Sequence, residues 1–145
     1  MLNKGLRGLS VPLCLASLVG CAGNVGFDAV SAEQRVAERT QEHLALLMGG
    51  RWEQALEYAA PGYRQKTEVQ QYAMRYRGAG SWTGTTVDQV TCNSDDAGGA
   101  DRCEVLYQIS YKWAQPLASI PDVVARRQFQ RVWILVDGDW FLAQG

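Results

Sequence analysis

Few residues in this chain could do chemistry. The only histidine is His43, and the four cysteines are Cys14, Cys21, Cys92 and Cys103. Around the last two lie the acids Asp95, Asp96, Asp101 and Glu104. A lone imidazole could serve as a general base or touch a ligand, but it needs a partner wherever it is buried, because an unpaired polar group there costs free energy. The acids lack the ordered oxygen-ligand spacing of a calcium loop, so they read as a solvated turn. The chain has no Gly-x-Ser-x-Gly elbow, no phosphate-cradling glycine loop and no Cys-x-x-Cys redox pair. The sequence therefore nominates no catalytic residue, no metal and no cofactor.

Cys21 belongs to a different pattern. Lys4 and Arg7 precede a short apolar run over residues 8–19, which closes on Leu18-Val19-Gly20-Cys21. The run is shorter than the ~20 apolar residues a spanning helix requires. Basic start, apolar middle, small residue and then a thiol resemble the signal peptide and lipobox of a bacterial lipoprotein. The resemblance implies that residues 1–20 are removed, that Cys21 carries lipid, and that the protein is anchored in the cell envelope. More than one acyl chain makes such an anchor stable. Ala22 rather than Asp follows the cysteine, which by the same resemblance points to the outer membrane, facing the periplasm. Cys14 then leaves with the signal, and Cys92 and Cys103 remain in a compartment where disulfides persist, so a bond between them is expected. Two cysteines alone cannot hold zinc, and His43 is distant in sequence.

Removal of residues 1–20 leaves 125 residues with 12 basic and 15 acidic side chains, a net charge of −3. That length supports one domain with a real core, and that charge excludes nonspecific nucleic-acid binding, which needs a basic footprint. Residues 21–30 form a tether reaching roughly 30 Å at most, and residues 31–145 form the domain.

Three helices are expected first. Ser31 to Gln34 reads as a capping box, opening a helix with Val36, Thr40, His43 and Leu47 on one stripe and Leu44 at its margin. Gly49-Gly50 ends it. A short helix through Trp52, Ala55, Leu56 and Ala59 stops at Pro61-Gly62. Thr67 to Gln70 reads as a second capping box, before Val69, Tyr72, Ala73 and Tyr76 on one face. From Trp82 the period becomes two. Cys103, Val105, Tyr107, Ile109, Tyr111 and Trp113 alternate with mostly polar residues. If Cys92 faces Cys103, antiparallel register would pair Val90 with Val105, Thr86 with Ile109 and Trp82 with Trp113. A strand over residues 127–136 turns back at Asp137-Gly138, a strong two-residue hairpin signal. It is apolar on both faces: Trp133 and Leu135 on one, Val132, Ile134 and Val136 on the other. Such a strand is expected to be covered on both sides.

Met48-Gly-Gly-Arg-Trp-Glu-Gln-Ala-Leu-Glu-Tyr58 with Ala60-Pro-Gly-Tyr63, and Val132-Trp-Ile-Leu-Val-Asp-Gly-Asp-Trp-Phe-Leu142, resemble the helical turn and the closing hairpin of the nuclear transport factor 2 superfamily. The resemblance implies an α+β cone in which N-terminal helices pack on a curved antiparallel sheet. Members include enzymes, ligand binders and adaptors, and fold does not choose among them. The first helix has no Tyr where isomerase relatives place one, and no dehydratase-like His-Asp spacing occurs. Two non-catalytic readings follow. One is an association module, forming a homodimer or gripping an envelope protein through Val132, Ile134 and Val136. The other is a binder of a small apolar ligand, with His43, Trp82, Tyr107, Tyr111, Trp113 and Trp133 as candidate pocket walls.

Overall fold

A computed structural model describes residues 30–93, 99–112 and 124–144. The signal segment with Cys21, the loop acids Asp95 and Asp96, and Trp113 lie outside the described residues.

The first helix, α1 (Ala32–Met48), begins where Ser31 Oγ accepts from Gln34 N–H at 3.2 Å. The expected capping box is half realised, since the Gln34 amide reaches forward to Glu38 instead. Val36, Thr40, His43, Leu44 and Leu47 are the buried stripe. Gly50, at φ 66°, takes the left-handed conformation that ends the helix at little steric cost. Helix α2 (Trp52–Leu56) buries Ala55 and Leu56. Pro61 does not simply stop the chain: it opens a further helix, α3 (Pro61–Arg64), at the position where a missing N–H costs nothing. Helix α4 (Val69–Arg75) starts from Glu68 without a side-chain cap, so the second expected capping box does not form. A 3₁₀ turn, Ala79–Ser81, leads into the sheet.

The sheet is antiparallel in the order β1 (Trp82–Cys92), β2 (Arg102–Lys112), β3 (Val124–Val136), β4 (Asp139–Leu142). Cys92 pairs with Cys103 and is disulfide-bonded to it, and Val90 pairs with Val105. Farther along, the expected register is corrected. Irregularities between Val87 and Gln89 and between Trp82 and Gly84 each add one residue to β1. Thr86 therefore meets Gln108, Ile109 meets Thr85, and Trp82 meets Tyr111. Each bulge bends its strand and increases the local twist, which curves the sheet around the helices. Asp137 (φ 50°) and Gly138 (φ 88°) make the tight turn into β4.

Val36, Leu44, Leu47, Tyr72, Val105, Tyr107, Ile109, Trp133 and Leu142 fill the space between helices and the concave face. The segment after α2 docks on the margin of β4: Leu142 N–H donates to Tyr58 O at 2.7 Å, and Ala60 N–H donates to Leu142 O at 2.9 Å. The opposite face is largely polar. Asp88 accepts from Gln108 and Gln128, and Glu104 accepts from Gln130. Apolar side chains gather at its β3–β4 end, where Val132, Ile134, Val136 and Phe141 are half-buried. Leu135, expected beside Trp133 on the covered face, is exposed, whereas Trp140, opposite it on β4, is buried.

Candidate functional site

Ladder register decides what β3 offers to the interior. Trp133 lies opposite Cys103, so Arg131, Phe129 and Arg127 share its face, opposite Val105, Tyr107 and Ile109. Alternation thus carries Arg131 to the concave side of the sheet. There it meets α1, which supplies His43, and α4, which supplies Tyr72 and Arg75 and is followed by Tyr76 at its C-cap.

His43 is 1 % exposed and both ring nitrogens are engaged. Arg131 Nη1 lies 3.4 Å from Nδ1, and Nε2 lies 2.7 Å from the Tyr72 hydroxyl. A guanidinium can only donate, so Nδ1 is the acceptor and Nε2 carries the proton. His43 then donates to Tyr72, whose hydroxyl donates in turn to Ala55 O at 3.3 Å. The chain of bonds runs one way, from Arg131 to a helix carbonyl, and leaves no imidazole nitrogen spare. Burial first, and the neighbouring Arg131 charge second, depress the His43 pKa from 6.5 to about 3. Burial also pushes the Tyr72 hydroxyl well above the usual phenol range. Tyr107 is raised by burial as well, against the opposing pull of Arg131.

The Arg131 guanidinium carbon lies 5.0 Å from the centre of the Tyr76 ring and 5.5 Å from that of Tyr107. Two aromatic faces attract the cation and restrict its rotamers. Tyr107 stacks on Phe129, with centroids 5.7 Å apart and planes 21° off parallel. These groups form one wall of an open cleft of about 600 Å³, bounded also by Arg75 from α4, by Ala143 and Gln144 after β4, and by Arg102, Gln130 and Val132, which have the parity of the outer face.

Of the aromatic walls expected from sequence, Tyr107 borders this cleft. His43 stands one hydrogen bond behind it. Trp133 is fully buried beneath Tyr58, ring centroids 6.3 Å apart and nearly perpendicular. It belongs to the core, with Arg39 stacked over both rings. Trp82 and Tyr111 face one another at the far end of the β1–β2 ladder and do not border the cleft. Asp101 is tied to Asn93, whose amide spans the neck of the β1–β2 loop. Among the described residues no cluster of three or more His, Cys, Asp and Glu could hold a metal ion. Sequence reasoning missed Phe129, Arg131 and Arg75. The signal for the first two was available: both have the parity of Trp133.

No protein-family model matches the chain, and no curated protein matches it. Solved structures do. A SEC-C motif protein from Psychrobacter arcticus superposes with a TM-score of 0.53 at 11 % identity, over 98 % of this chain and 77 % of that one. A SEC-C motif protein from Rhodopseudomonas palustris gives 0.52 at 10 %, over 78 % and 77 %. A Xanthomonas campestris protein described as a calcium/calmodulin-dependent protein kinase II association domain gives 0.51 at 14 %, over 77 % and 82 %. The fold is nuclear transport factor 2-like. At such identities the likeness concerns the fold alone, and the site of this NTF2-like domain must be judged on its own residues.

Proposed function

We propose that this is a non-catalytic binding module, held at the cell envelope by lipid on Cys21, that takes a small ligand into the cleft between α4 and β3. The observation that carries the reading is the cleft itself: about 600 Å³, lined by Tyr76, Tyr107, Phe129 and Arg131. That volume lies within the range of ligand sites, and the lining sets aromatic rings beside the charged and amide groups of Arg75, Arg102, Arg131, Gln130 and Gln144. The same geometry argues against catalysis by the one histidine. A general base needs a free nitrogen and a pKa near the working pH, and His43 has neither.

The test is native mass spectrometry of the exported chain carrying Cys21→Ser. A retained small mass supports the reading, and a domain that emerges empty at every ligand load counts against it. The tether has its own test: fatty-acid labelling and membrane fractionation of the unaltered protein, both lost in Cys21→Ser. No helix among the described residues is long and apolar enough to span a membrane.

A second reading, association with another copy or an envelope protein, is favoured by the strip of Val132, Ile134, Val136 and Phe141 on the outer face. Likeness in fold to an association domain is in keeping with it. Replacing Ile134 with Asp should abolish the association while the domain stays folded; an unchanged oligomeric state in that variant would retire the idea.

A further inference from the structure

We infer that the cleft is shaped for a compact organic anion with a flat apolar body, the anionic end held by Arg131 and Arg75 and the body laid against Phe129. The inference deepens the ligand-binding reading above and rests on it. Its basis is a local inversion of charge. The chain without residues 1–20 is net acidic, yet among the described residues the cleft is bordered by Arg75, Arg102 and Arg131 and by no carboxylate side chain.

The three arginines are not equivalent. Arg102 is paired with Glu104 at 3.3 Å. Among the described residues neither Arg75 nor Arg131 has a carboxylate within ion-pair distance. Arg75 Nη1 donates to the Tyr63 hydroxyl at 2.9 Å, and Arg131 Nη1 to His43 Nδ1 at 3.4 Å. Each partner is uncharged, so each guanidinium is steadied while keeping its full charge and its other donors. His43 acts here as a positioning residue. A neutral acceptor orients Arg131, where a carboxylate in its place would cancel the charge and an imidazolium would repel it.

The apolar half is equally specific. Phe129 is half-buried at the cleft and is backed by the buried Tyr107 that stacks on it, so a flat ligand body can contact Phe129 while its anionic end meets the guanidinium. In a cleft walled by protein the attraction between the charges is stronger than in bulk water, and hydrogen bonds to charged groups exceed neutral ones.

The experiment uses the full chain with Cys21→Ser and two fluorescent probes that share one ring system. These are 8-anilinonaphthalene-1-sulfonate, which is anionic, and N-phenyl-1-naphthylamine, which is uncharged. The expected result is saturable binding of the sulfonate, about tenfold or more tighter than the neutral probe, and a loss of about tenfold or more on Arg131→Met with the neutral probe unaffected. Comparison of variants removes any binding contributed elsewhere on the chain. Arg75 is exposed, so Arg75→Gln should fold normally and also weaken the sulfonate selectively; it decides the matter if Arg131→Met does not fold. Equal affinity for the two probes, or sulfonate binding indifferent to both substitutions, overturns the anion assignment and leaves the ligand-binding reading standing. Binding of neither probe overturns both.

Discussion

The buried histidine makes stability depend on pH in a way that one substitution can isolate. In the folded domain His43 has a pKa of about 3, against 6.5 when exposed. Between these values the unfolded chain takes up a proton that the native protein refuses, so acid favours unfolding and stability rises with pH. Each pH unit in that window is worth about 1.4 kcal/mol. Lowering the pH from 7 to 5 should thus remove about 2 kcal/mol, and the full effect, reached near pH 3, is nearly ~5 kcal/mol. A domain of this size has only about 5–15 kcal/mol in hand. Because the chain has a single histidine, no other imidazole titrates in the upper half of the window. His43→Gln supplies the control, since an amide can accept from Arg131 and donate to Tyr72 without gaining charge. Urea unfolding at several pH values between 5 and 7.5 should show the native protein losing about 2 kcal/mol more than the variant across that range. Parallel curves for the two proteins would refute the argument, because they would mean that His43 protonates equally easily in both states.

Three further outcomes follow from the geometry. Tyr72→Phe deletes the acceptor of a buried imidazole N–H and the donor to Ala55 O, and should destabilise by about 1–3 kcal/mol in chemical denaturation. Replacing Cys92 and Cys103 together with alanine opens a loop closed over a separation of 11 residues, and should cost about 3 kcal/mol in the chain-entropy model, read as a lower urea midpoint. Ser31→Ala removes the cap of α1 and should cost about 1 kcal/mol, with amide exchange quickening first in the opening turn.

Local periodicity made much of this fold legible. The stripe from Val36 to Leu47, the alternation from Cys103 to Tyr111 and the Asp137-Gly138 turn are each written in adjacent residues, and each forms as expected. The disulfide follows from the same ladder. The two bulges do not follow, because Thr83 and Asp88 are ordinary strand-surface residues and only curvature against the helices makes an extra residue there useful. The site was less legible for a related reason. A charge in a strand reads as solvent-facing, and Arg131 faces inward because Tyr76, Tyr107 and His43 arrive from three other elements to receive it. Those contacts span 88 residues in the case of His43, far beyond any local pattern. Trp133 errs in the other direction: aromatic and inward, it fits a pocket wall in sequence, but Arg39 and Tyr58 cover it.

The docking of Tyr58 and Ala60 on β4 bears on how copies of the protein can coexist. A sheet margin with free N–H and C=O groups is a template on which further chains can add. At β4 that template is already occupied by the protein's own backbone. At the other margin, β1, two irregularities interrupt the regular spacing of free groups that an incoming strand would have to match. Among the described residues β4 pairs only with Trp133 to Val136 of β3, so residues 124–131 are the run of that margin that no strand covers. Copies that meet through their sheets would have to use that stretch of β3, and contact made elsewhere on the domain is made by side chains.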